Sequence, residues 1–200
     1  MPLDALFHRR LIALLWLAWA LYWSLAALGS RPTLRRESLG SRLTHLVPLT
    51  AGGVLLAWRD VPWAALTMRL WPQSPTLYWS GVLVLATGLA FAIWARVHLG
   101  GNWSGAVTVK QGHELVRSGP YAHVRHPIYT GLLTAVLGTA IASGTVRVAL
   151  AFAIIAAALV RKLRAEEALM RATFPGAYER YRAVVPALIP FARLRRSAPR

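Results

Sequence analysis

Between Gly119 and Gly131 the chain reads GPYAHVRHPIYTG, and between Arg161 and Glu167 it reads RKLRAEE. These two stretches hold most of the second half's side chains able to bind or move a proton. That half carries four carboxylates, Glu114, Glu166, Glu167 and Glu179, and the histidines His113, His123 and His126 follow His98. Histidine metal chemistry is the first candidate. There is no Cys, so thiolate sites and disulfides are excluded. His123 and His126 are i,i+3, but Pro127 does not let a helix run smoothly through them. So sparse a set falls short of a metal centre, and no metal is expected.

Pro127 instead suits the first position of a helix, where its missing N–H costs nothing. The amides of Ile128, Tyr129 and Thr130 would then point back toward the loop, an arrangement that attracts anionic or acceptor groups. With Arg125 and His126 beside it, the loop reads as a small polar pocket on a helix end. The alternative is a helix start with surface anchors, arginine to phosphate and tyrosine to headgroup. For the second stretch, helical spacing makes Arg164 and Glu167 i,i+3 neighbours and Glu167 and Arg171 i,i+4 neighbours. A solvated, ion-paired face is the plain expectation. The competing one is that carboxylates at a membrane boundary are costly and functional.

These residues must be positioned by strongly apolar elements. Of 200 residues, 56% are hydrophobic, and they come in long uncharged blocks. Five are read as spans: Leu11–Gly29, Leu43–Trp58, Leu77–Ala95, Ile128–Ser143 and Val148–Val160. The first is longer than a signal-peptide core and is read as retained. The fifth is too short to cross about 30 Å unaided, and is expected to continue helically into Arg161–Arg171. "SGTVR" between the last two marks a turn, so they form a tight helical hairpin. The fold class is therefore all-α: a polytopic membrane protein of about five helices, with a cytosolic loop and a helical C-terminal tail. It is one domain, with spans in 1–98 and the chemistry in 99–200.

The formal charge of +16 suggests nucleic acid or an anionic membrane face. Uncharged runs of about 20 residues favour the membrane, and no nucleic-acid partner is expected. With alternating spans, Arg31, Arg35, Arg36, Arg42, Arg96, Lys110, Arg117, Arg125 and ten more cations from Arg161 onward share one side. Arg9, Arg10, Arg59, Arg69 and Arg147 take the other. The positive-inside rule puts the N-terminus outside, and the third loop and tail in the cytosol. Trp58, Trp63, Trp71, Tyr78 and Trp79 near span ends fit an interfacial belt.

The runs HELVRSGPYAHVRHPIYTG and RAEEALMRATFPGAYERYRAVVPALIP resemble the isoprenylcysteine carboxyl methyltransferase family, and the related phospholipid methyltransferases. The shared features, in order, are His113-x-Leu115-Val116, Gly119-x-Tyr121, Arg125-His126-Pro127-x-Tyr129, Glu166-Glu167, and Phe174, Tyr178, Tyr181 and Pro190. They cover roughly Gly100 to Phe191. The chain has Phe174-Pro175-Gly176 where the family has Phe-Gly.

The resemblance implies an integral membrane enzyme that uses S-adenosylmethionine. It implies cofactor contacts at His113, Glu114, Leu115, Val116, Tyr121, His126, Pro127, Ile128, Tyr129, Glu166 and Glu167. Glu167 is also expected in the catalytic set. So is a cation upstream of the pair that orients the acceptor: Arg161 or Arg164, with Lys162 a further candidate. The implied acceptor is the carboxylate of an isoprenylcysteine-like lipid. A phospholipid amine, a small thiol, or a non-enzymatic basic membrane module are the alternatives. No Rossmann glycine fingerprint is present, unlike the soluble methyltransferase fold.

Overall fold

A computed structural model describes residues 3–29, 32–58, 61–104, 107–110 and 114–190. The five apolar blocks all fold as helices: α1 (Leu3–Ala27), α2 (Leu39–Ala57), α4 (Pro75–Leu99), α5 (Pro127–Ser143) and α6 (Val146–Thr173). The short α3 (Ala64–Thr67) lies between α2 and α4, and α7 (Ala177–Val184) follows α6. Their starts are local chemistry. The Ser38 hydroxyl accepts from the Ser41 amide at 3.3 Å and the Ser74 hydroxyl from the Leu77 amide at 3.1 Å. Pro75 and Pro127 occupy first-turn positions. Ser38 explains why α2 begins four residues before the apolar block does.

By length and composition α1 and α4 are able to cross a membrane, and α5 is a shorter apolar helix. As its composition predicts, α6 runs without a break from the apolar block through Arg171. Only Gly144 and Thr145 link α5 to α6, and the two helices pack on each other. Gly144 sits at φ 64°, the left-handed conformation that ends α5.

The fold is all-α in class, as expected, with one short addition: β1 (Thr33–Arg36) and β2 (Thr108–Lys110) pair antiparallel. Strands this short carry no periodic signal, and their partners lie about 70 residues apart, beyond the reach of local pattern. The pairing ties the α1–α2 connection to the α4–α5 connection at one end of the bundle. At the other end the Leu70 amide donates to the Gly144 carbonyl (2.7 Å) and the Val146 amide to the Met68 carbonyl (3.0 Å).

α4 and α5 form the tightest contact. Gly81 and Gly88 on α4 face Gly138 and Gly131 on α5. A Cβ at Gly81 would lie 2.5 Å from the Ala142 amide, and one at Gly88 would lie 2.5 Å from that of Ala135. Two backbones therefore touch, as small residues permit between apolar helices.

Candidate active site

α5 opens where the sequence places it, with His126 as the N-cap and Pro127 first. Its donors differ from expectation in one respect. The Thr130 amide already donates to the His126 carbonyl at 3.0 Å, so Ile128 and Tyr129 remain the first-turn amides facing the loop. The loop itself is pinned twice. Gly119, at φ 57°, leaves room for the His98 ring, which a Cβ would meet at 2.7 Å. On the other side, the amides of Arg125 and His126 donate to the carbonyls of Pro186 (2.9 Å) and Ala187 (3.0 Å). The Thr130 hydroxyl adds Leu188 (2.7 Å), and the Tyr181 phenol donates to the Tyr121 carbonyl at 2.5 Å. The tail after α7 thus lies along the loop before α5. Gly176, at φ 71°, makes the turn from α6 into α7 that returns it.

α6 brings the paired glutamates to this junction. Glu167 is buried, and its Oε1 accepts from Arg125 Nε (2.9 Å) and Nη2 (2.5 Å) and faces His126 Nε2 at 3.4 Å. Its Oε2 faces Arg182 Nε at 3.5 Å. Arg125 Nη1 donates onward to the carbonyls of Val185 and Arg182. The expected pairing of Glu167 with Arg164 and Arg171 on a solvated face is thereby corrected. α6 rotates that glutamate inward, and Arg171 pairs with Glu179 at 3.7 Å instead. Glu166 accepts from the Tyr129 phenol at 2.5 Å, and lies 3.5 Å from His126 Nδ1 and 3.8 Å from Lys162 Nζ. The His126 and Tyr129 rings stack at 5.5 Å, and Lys162 Nζ lies 5.5 Å from the centre of the Tyr129 ring.

The electrostatics follow. Burial alone would push the Glu167 carboxyl up, but bonding to His126 and Arg125 wins and holds it at about 2. Glu166 is likewise lowered against burial by His126 and Lys162. For His126, burial opposes the charge, and the two carboxylates reverse it, so the imidazolium is favoured. Burial raises the phenols of Tyr121 and Tyr178, which stay neutral.

This network forms one end of a cavity of about 1260 Å³ that runs on between α1, α2, α5 and α6. Of the residues singled out from sequence, Glu114, Leu115, Val116, Tyr121, His126, Pro127, Ile128, Tyr129 and Glu166 line it. Glu167 does not; it stands behind the wall, holding Arg125. Arg161 and Arg164 are exposed and off the cavity, and Arg161 Nε donates to Thr44 Oγ1 at 2.5 Å. His113 falls outside the described residues. Arg125 and Lys162 are the buried cations of the site that sequence ranking passed over. Arg125 had a signal, its adjacency to His-Pro. Lys162 had only its place one residue beyond Arg161, which turns it about 100° around the helix, onto the cavity side. Among the described residues no group of three His, Asp or Glu is placed to hold a metal.

Residues 81–172 match the isoprenylcysteine carboxyl methyltransferase (ICMT) family. Over that segment, a little under half of its length, the chain is similar to this family. Three relatives match part of the chain. The protein-S-isoprenylcysteine O-methyltransferase of Schizosaccharomyces pombe is 36% identical over 99 residues, 48% of this chain and 42% of its own. The cobalt-zinc-cadmium resistance protein CzcN of Cupriavidus metallidurans is 30% identical over 121 residues, 58% of this chain and 50% of its own. The uncharacterized protein YpbQ of Bacillus subtilis is 30% identical over 66 residues, 32% of this chain and 39% of its own. The chain spans half the length or less of these curated relatives. The methyltransferase family segment contains α5, most of α4 and nearly all of α6. It includes the Arg125–Glu167 network but stops before the tail that locks it.

Proposed function

We propose that the protein is an integral membrane methyltransferase that moves the methyl group of S-adenosylmethionine to the carboxylate of a lipophilic, isoprenylcysteine-like acceptor. The observation that carries this reading is a continuous cavity with one polar, family-motif end and a long apolar remainder. Its size exceeds the roughly 300–1,000 Å³ of an ordinary small-molecule site, which suits cofactor and acceptor together.

The residues present fit the cofactor. Ile128 and Tyr129 offer first-turn amides to an α-carboxylate. Glu166 offers a carboxylate to an ammonium or ribose, and Leu115, Val116 and Tyr121 offer apolar and aromatic walls to adenine. When bound, S-adenosylmethionine supplies an electrophilic sulfonium methyl. Glu167 is read as a positioning residue: through Arg125 it holds the loop that carries His126 and the start of α5. Lys162 is read as the group that orients the acceptor's carboxylate, since it is the buried cation lining the cavity beside Glu166. An ionised carboxylate acceptor needs no general base. Alignment of the reacting groups can supply about 7–11 kcal/mol of the barrier, which is the work a rigid polar end does.

Membrane integration rests on the outer faces. Leu14, Leu17, Leu21 and Leu25 make an exposed stripe on α1, and Leu83, Trp94 and Val97 are exposed on α4. Apolar stripes of this extent suit lipid and not water. The shared end of the first and third loops supports the charge-based topology, with that end and the tail cytosolic.

The test is a screen of purified protein with methyl-labelled cofactor against prenylcysteine, phospholipid amine and small thiol acceptors. Label on the prenylcysteine carboxyl, as a base-labile ester, is the expected result. Label only on an amine or a thiol would overturn the carboxylate reading. Absence of saturable cofactor binding would overturn the enzyme.

A further inference from the structure

The cavity does not stop at the polar end's apolar wall. It continues along the helices to Ser143, Thr145 and Arg147 at the opposite end of the bundle. Part-way along it, a hydrogen bond joins two of its lining residues. Trp16 of α1 reaches across, and its Nε1 donates to Thr139 Oγ1 of α5 at 3.1 Å. Thr139 is buried, and its hydroxyl also donates back to the Ala135 carbonyl at 3.0 Å. Trp16 is the last rung of an aromatic ladder on the same wall. Its ring meets Trp19 edge-on at 5.8 Å, Trp19 stacks on Trp23 at 4.9 Å, and Trp23 meets Trp103 at 5.5 Å. The ladder begins at the polar end, where Arg96 lies over Trp103 and donates to the Ala26 carbonyl.

We propose that the Trp16–Thr139 bar sets the chain length of the acceptor. The distance it allows follows from α5. Tyr129 marks the polar end and Thr139 the bar, ten residues on, about 15 Å at 1.5 Å per residue. An extended chain advances roughly 1.2 Å per bond, taking about 3.5 Å for the three bonds of a peptide residue. The compartment therefore takes about 12 backbone atoms from the carboxyl carbon on; the cysteine's carboxyl carbon, Cα, Cβ and sulfur account for four, which leaves about eight for the chain, as in an octyl group or two isoprene units. A chain of about 12 must pass the bar into the part lined by Ile12, Tyr78 and Ala142. Trp is suited to such a bar, because its ring is large and rigid and its N–H is anchored.

The inference rests on the proposed function for its catalytic readout but has a second readout of its own. N-acetylcysteine thioethers bearing octyl or dodecyl chains are compared in nanodiscs, with membrane partition measured separately. The wild-type protein is expected to prefer octyl by tenfold or more in kcat/KM. Trp16→Ala is expected to reduce that ratio to about twofold, and Trp16→Phe, which keeps most of the bulk, to leave most of it. An unchanged ratio in Trp16→Ala, or no preference in the wild type, overturns the proposal. If no thioether is methylated by any form, the proposed function fails. The bar is then judged by the same octyl-to-dodecyl ratio in calorimetric binding, where equal affinities overturn it.

Discussion

Two walls of this molecule are built on opposite principles. α4 and α5 meet backbone to backbone through Gly81, Gly88, Gly131 and Gly138, and α6 with its tail seals the Arg125–Glu167 network beneath them. α1 stands off. The other face of the same helix carries the exposed leucines, while its tryptophans border open space. The difference separates two tasks. Positioning reactive groups to a fraction of an ångström needs close packing and saturated hydrogen bonds. Admitting a lipid chain needs a wall with room behind it.

If that contrast is right, the same kind of change has very different consequences on the two sides. Gly138→Leu drives a side chain into the Gly81 and Leu85 backbone. It is expected to cost more than about 4 kcal/mol and to yield no monodisperse protein on size exclusion. Arg125→Ala strands Glu167 as a buried charge. A loss of about 3–5 kcal/mol is expected in denaturant unfolding, together with loss of calorimetric cofactor affinity. Glu167→Gln keeps the shape and should cost less.

Acid should reach the same pair without mutation. Glu167 is held at about 2 against an ordinary value of 4.5. Its contribution, on the order of 2–3 kcal/mol, is present above pH 4.5 and lost as pH falls toward 2. The unfolding midpoint should drop through that window in the wild type and drop less in Glu167→Gln. His126 acts with the opposite sign. Its raised value means a contribution present below about 6.5 and lost as pH climbs through the raised pKa.

Lys162→Gln tests the border between the two regions. KM for a carboxylate acceptor should rise about tenfold, about 1.4 kcal/mol, with cofactor affinity little changed. A matching fall in cofactor affinity would move Lys162 from the acceptor to the cofactor side. At the bottom of the scale, Leu17→Ala on the outer face of α1 should change stability by less than about 0.5 kcal/mol. A loss above 2 kcal/mol would mean that α1 is not the loose wall described.

The chemistry-bearing half was legible because its signals are local. Pro127 starts a helix by its own φ, and the motif residues from Tyr121 to Tyr129 sit within one loop and one helical turn. The rank given to the basic residues was not legible. Arg161, Lys162 and Arg164 have the same charge within four positions. Only the rotation of α6 decides that Lys162 faces the cavity while the two arginines face out. The assignment of Glu167 to a direct contact had the same weakness, since adjacent glutamates on a helix point about 100° apart.

By itself the sequence determined five apolar helical blocks, the turn between the last two, the helix start at Pro127 and the family resemblance of the segment around it. Each of these depends on neighbouring residues alone. The tertiary structure decided what depends on residues far apart in the chain. It paired β1 with β2 and buried Arg125 against Glu167, 42 positions away. It laid the tail's carbonyls along the amides of the loop. It also placed Trp16 across from Thr139, 123 positions away, in a cavity that no single helix contains. Local pattern sets which face of a helix is apolar. Packing alone sets which apolar faces meet and which leave space between them.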